Sequence, residues 1–283
     1  MLPPVMGAVA FMMADFTGVS YALVCLYATL PALGYYFGIY CFVHFEAERL
    51  NLAPLEDSQI VGVKVALQRN WSSVLPIIVL VWLLVQGYSA AYVAAGSVVS
   101  VIVASWFATA EKRIGPKKFV EACLDTCLSS VPLAGSVAAA GLVIGCIELT
   151  GLSGIFTLLM FQLSGGYLIS TLILAGIILV LLGLGMPTTG VYIMGVALLA
   201  PVLIGKFQLP VMPVHMFLLF YACLSAITPP VAVANFAAAA IAGANPGKLS
   251  VYACKLAVGG FLLPFFFLFN PGIMLLGTWN EII

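Results

Sequence analysis

Ser225, Thr228 and Asn235 flank two adjacent prolines, Pro229 and Pro230, in the middle of an apolar segment running from about His215 to Ala242. Proline removes a backbone donor and clashes with the carbonyl four residues back, so no helix runs smoothly through this pair. In lipid, a broken helix is tolerated only where the freed backbone groups face protein or a watery cavity. Unwound carbonyls and neutral hydroxyls then suit a hard cation such as Na⁺, because they supply oxygen ligands without burying an anion. Half-helix N-termini meanwhile point positive dipole ends at an anionic solute. A second interruption, Gly183-Leu184-Gly185-Met186-Pro187-Thr188-Thr189-Gly190, adds the hydroxyls of Thr188 and Thr189, and the chain opens on an echo, Pro3-Pro4-Val5-Met6-Gly7-Ala8. The plain alternative is a proline kink whose Ser or Thr bonds back to its own helix. Two breaks of similar composition, with that echo, favour a functional pair.

These breaks need a membrane-spanning frame, and the composition supplies one. The chain is 64% hydrophobic and 7% charged, with a mean hydropathy of +1.20. A soluble domain carries roughly a quarter charged residues, so this is an all-α polytopic membrane protein. A spanning helix needs about 20 apolar residues, and on that ruler the chain divides. Residues 3–17 form a short half-helix and 19–45 a full span. Residues 46–70 are polar and lie outside the bilayer. Spans at 72–88 and 90–110 follow, then a basic connector and a mildly amphipathic helix (111–130), a span at 131–149, and a short interfacial helix at 152–166.

Residues 168–205 are either two full spans or a re-entrant hairpin with its tip at 183–190. At about 17 residues each arm sits at the lower limit for crossing, which favours the hairpin. A broken helix at 213–243 and a last span at 250–275 complete the chain. Arg49, Lys64, Arg69, Lys112, Arg113, Lys117, Lys118 and Lys248 collect on one side, whereas Lys206 falls on the side where 168–205 begins and ends. Lys/Arg excess marks the cytoplasm, so the hairpin opens outward. Both readings of 168–205 give the same sidedness.

Other polar groups carry less. Asp15 and Glu148 are intramembrane carboxylates near span ends, and a channel-like or proton-coupled carrier would need one of them deep in the pathway. His215 reads as a cap, a packing residue or a proton carrier. The seven cysteines lie almost entirely in apolar segments without metal-ligand pairing, and Cys123 and Cys127, one helical turn apart, read as small buried packing residues. The sequence holds no H-E-x-x-H and no Gly-rich phosphate loop. Zero net charge argues against nucleic acid as a partner. Transport is favoured over catalysis.

Gly185-Met186-Pro187-Thr188-Thr189-Gly190-Val191-Tyr192-Ile193, Leu199-Ala200-Pro201, Ser225-Ala226-Ile227-Thr228-Pro229-Pro230-Val231-Ala232, Pro264-Phe265-Phe266 and Asn270-Pro271 resemble the large permease subunit of TRAP (tripartite ATP-independent periplasmic) transporters. The closest resemblance is to the fused type that works with TAXI-class binding proteins, and it covers essentially the whole chain. It implies a sodium-coupled importer of the bacterial inner membrane, built as an inverted-repeat elevator with re-entrant hairpins and broken helices. Its substrate would be a small, dicarboxylate-like organic anion handed over by a periplasmic binding protein.

By position, the resemblance makes Gly185, Met186, Pro187, Thr188 and Thr189 the outer hairpin tip. Ser225, Thr228, Pro229, Pro230, Ala232 and Asn235 become the unwound segment of the second repeat, and Pro3, Pro4 and Gly7 that of the first. Thr188, Thr189 and Thr228 are the Na⁺ candidates, and no other cofactor is implied. Residues 1–45 would end the first repeat, 46–70 form a cytoplasmic loop and 71–283 the second repeat. The family's first hairpin and small-subunit-like helices belong upstream of Pro3. The chain is therefore expected to be the N-terminally incomplete, C-terminal part of a longer or split permease, and not to transport alone. A non-transporting structural membrane subunit is the rival reading.

Overall fold

The computed structural model describes residues 1–3, 6–51, 62, 63, 65, 71–107 and 113–276. Pro4, Lys64, Arg69, Lys112 and most of the 46–70 loop lie outside these, as does the side chain of Glu148. Every regular element among the described residues is helical. In chain order these are α1 (Ala8–Thr17), α2 (Tyr21–Arg49), α3 (Trp71–Val85), α4 (Ala90–Trp106), α5 (Pro116–Thr150), α6 (Leu152–Leu163), α7 (Leu168–Leu182) and α8 (Thr188–Ala200). After α8 come a π-turn (Pro201–Lys206), α9 (Val211–Ser225), α10 (Val233–Ala242), α11 (Pro246–Leu256), α12 (Val258–Phe269) and a 3₁₀ turn (Pro271–Met274). Tyr21–Arg49, Thr188–Lys206 and Pro246–Phe269 are long and apolar enough to cross a bilayer.

Two compact units divide the chain. One comprises residues 20–22 and 46–131, and its core is Leu83, Leu84 and Val93 with Tyr21, Val79 and Leu80 against them. α3 and α4 turn tightly at Gln86 to Tyr88 and cross closely, since a Cβ on Gly96 would stand 2.6 Å from Leu83 Cδ1. Cys123 and Cys127 are exposed on α5, not buried as their apolar setting predicts. The expected connector helix (up to 130) and span (131–149) join into this one 35-residue helix, which runs on through Pro132.

The larger unit comprises residues 1–19, 23–45 and 132–283, and its centre is the pair α8 and α9. Thirteen of the 15 residues of α9 are buried, as are ten of the 13 of α8. α7 and α12 pack on α9, and α1 touches both α8 and α9. Aromatic rings fill the α9–α12 seam: Phe217 against Phe265 at 6.0 Å and Phe220 against Phe267 at 5.6 Å between centroids. Phe37, Leu149 and Ile241 face outward, 69%, 90% and 91% exposed, as lipid-facing side chains must.

The arms of the 168–205 segment are unequal. α7 has 15 residues, about 22 Å at 1.5 Å per residue, short of a bilayer core of about 30 Å. The other arm runs 19 residues, Thr188 to Lys206. Pro201 does not end it, because the backbone widens into the π-turn and Phe207 N donates to Val202 O at 3.2 Å.

Candidate functional site

Glycine and proline set both breaks. α7 stops at Leu182, Gly185 turns through a left-handed φ of 85°, and α8 restarts at Thr188 behind Pro187. No backbone donor among the described residues reaches the carbonyls of Gly183 to Met186. Gly185, Met186 and Pro187 are exposed, Thr188 is half-buried and Thr189 is buried. The Thr189 Oγ1 is sealed from solvent and has no hydrogen-bond partner among the described residues. Such a hydroxyl is costly unless something else satisfies it.

The second break spans 226–232. Pro229 and Pro230 are exposed, and Ala232 takes an unusual φ of 39° to launch α10. Asn235, 4% exposed, reaches back so that its Nδ2 donates to Ile227 O at 2.7 Å. Cys254 Sγ donates to the same carbonyl at 3.6 Å, and Ala234 N donates to Ala226 O at 3.1 Å. The loop is thus tied at its start, while the carbonyls of Thr228 to Val231 accept from no described backbone donor.

Ser225 Oγ donates to Ala222 O and Thr228 Oγ1 to Leu224 O, both at 2.8 Å. Spending the proton on the helix leaves the oxygen lone pairs free to accept or to coordinate. An ordinary kinked helix shows the same back-bonding, so these two hydroxyls alone do not mark a site. The unpaired Thr189 hydroxyl and the free carbonyls do.

The breaks meet. Gly183 lies against Ser225 so closely that a Cβ at 183 would overlap the serine's Cβ and Oγ. Ten residues back along α9, α8 and α9 share a buried polar pair, Tyr192 Oη and His215 Nδ1 at 2.7 Å. Phe16 of α1 stacks on Tyr192 at 6.2 Å between centroids, so the N-terminal segment reaches the same core. Gly7 holds a φ of 72° at the head of α1 and Pro3 lies in the turn before it. Asp15 is exposed, outside the buried seam.

The arrangement brings neutral oxygens and unwound backbone together, with no group of three or more His, Cys, Asp or Glu among the described residues. A comparison with family descriptions fits that chemistry: the tripartite ATP-independent periplasmic transporter, DctM component, matches residues 1–282. The chain belongs to this family. Comparison with curated proteins gives no match. As a DctM component it is a multi-pass membrane protein and the permease part of a TRAP transporter, not an enzyme, and the family implies a periplasmic solute-binding partner.

Three features of this DctM chain escape a reading of motifs. Gly183 was legible as a helix breaker but not as the residue on which Ser225 packs. His215 pairs with Tyr192, twenty-three positions away, and no local pattern links them. Cys254 reads as filler yet touches the unwound segment.

Proposed function

We propose that this DctM chain couples Na⁺ entry to import of a small, dicarboxylate-like organic anion across a bacterial inner membrane. The observation that carries the reading is the packing of Gly183 on Ser225, which joins the starts of two carbonyl-rich breaks, the first of which carries the unpartnered hydroxyl of Thr189. Carbonyls and hydroxyls of this kind match the ligand preference of a small hard cation. The N-terminus of α8 supplies unpaired N–H groups and a positive dipole end for a carboxylate. Thr188, Thr189 and Thr228 are the proposed Na⁺ ligands. A TAXI-type binding protein delivers the anion, and the hairpin with its broken helix moves as an elevator.

Na⁺-gradient-driven uptake by the assembled permease in liposomes, with its binding protein supplied, tests this. Uptake that follows an imposed Na⁺ gradient, and not an equal K⁺ gradient, is the expected result. The buried Tyr192–His215 pair favours a second reading, proton coupling. Uptake driven by a pH gradient without Na⁺ would select it.

A further inference from the structure

A pocket lies away from the two breaks, between the start of α6 and the π-turn after α8. It encloses about 460 Å³ and is lined by Ser153, Gly154, Thr157, Leu158, Pro201 and Lys206, with Gly205 completing the wall. Thr157 is 7% exposed, and its Oγ1 has no hydrogen-bond partner among the described residues. A helical threonine ordinarily bonds back to the carbonyl one turn earlier, as Thr150 does to Cys146 O at 2.6 Å. Thr157 does not, so a buried donor in the pocket wall awaits an acceptor.

The remaining polar atoms of the pocket favour an anion. Ser153 and Gly154 belong to the first turn of α6, at the positive end of its dipole, where the Gly154 N–H is already taken by Gly151 O at 3.1 Å. Lys206 adds a full positive charge from the opposite wall. Among the described residues, no carboxylate lines the pocket to compete with an incoming anion.

The rim tells which anion. Leu158 lines the pocket and is itself 55% exposed, continuous with Leu152, Ile155 and Leu159 along the outer face of α6 at 46%, 55% and 50%. That stripe suits acyl chains, whereas a free inorganic ion would gain nothing from it. We propose that this pocket binds the phosphate of a phospholipid headgroup, with Lys206, Thr157 and Ser153 holding the phosphate and the α6 stripe holding the chains.

The test uses the purified full chain in detergent and follows its melting temperature. Short-chain phosphatidylglycerol, the diacylglycerol with the same chains, and inorganic phosphate are each titrated. Phosphatidylglycerol should stabilise saturably and the diacylglycerol should not. Inorganic phosphate should compete only at far higher concentration. Lys206→Gln should weaken the lipid's apparent affinity about tenfold, as loss of a charged hydrogen bond implies, and Lys206→Arg should restore most of it. Thr157→Val keeps the side chain's shape and should weaken affinity severalfold without lowering the lipid-free melting temperature. Equal stabilisation by phosphatidylglycerol and diacylglycerol, or unchanged affinity in both Lys206→Gln and Thr157→Val, would overturn the proposal. Inorganic phosphate protecting as well as the lipid would overturn the headgroup as its source.

Discussion

Gly183 and Ser225 touch so closely that position 183 has no room for a methyl group. One residue caps the end of α7 and the other ends α9, so this contact locks the two chain breaks together. Ser225 Cβ is fixed to its own buried helix and cannot swing aside.

Gly183→Ala should therefore push the tip away from α9, at a cost of about 1–3 kcal/mol from overpacking. The assembled permease should lose most uptake and show a lower melting temperature. Ser225→Gly in the same chain removes both clashing atoms and should restore part of each. Full activity in Gly183→Ala alone would show that the contact is not needed.

Thr189→Val removes a buried hydroxyl that has no hydrogen-bond partner among the described residues. Without Na⁺, its melting temperature should equal or exceed that of the unsubstituted chain, because an unsatisfied polar atom is gone. A clear drop under those conditions would mean that the hydroxyl has a structural partner.

Tyr192→Phe leaves His215 Nδ1 buried without its 2.7 Å partner, a loss of about 1–3 kcal/mol. Pairing it with His215→Phe should cost less than the two single changes added together. A double-mutant cycle on melting temperature measures the coupling, and strict additivity would contradict a bond that matters.

Asn235→Ala cuts the 2.7 Å tether to Ile227 O. Amide hydrogen exchange over 226–235 should then rise well above that of the unsubstituted chain, while α9 stays protected. Unchanged exchange would assign the order of this segment to packing alone.

Much of this was legible in the sequence, for a local reason. Pro187, Pro229 and Pro230 break helices by removing donors, and Gly185 by taking a left-handed φ, so both breaks fall inside the predicted stretches. The arms, read as about 17 residues each, are 15 and 19, because α7 stops at Leu182 and the second helix restarts at Thr188, inside the expected tip at 183–190. Exposure was misread at Cys123 and Cys127, since an apolar segment does not reveal which face meets protein and which meets lipid. The Gly183–Ser225 and Tyr192–His215 contacts are tertiary and depend on how α7, α8 and α9 pack, which no spacing encodes.

The central claim is that the two breaks jointly bind Na⁺, and a cation titration of melting temperature tests it most directly. The assembled permease should be stabilised saturably by Na⁺ and not by K⁺ at equal ionic strength, following the logarithmic dependence of a one-site ligand. Thr228→Ala and Thr189→Val should each shift the Na⁺ midpoint upward about tenfold or more, the worth of one lost ligand at about 1.4 kcal/mol. Identical responses to Na⁺ and K⁺, or a Na⁺ midpoint untouched by both substitutions, would contradict it.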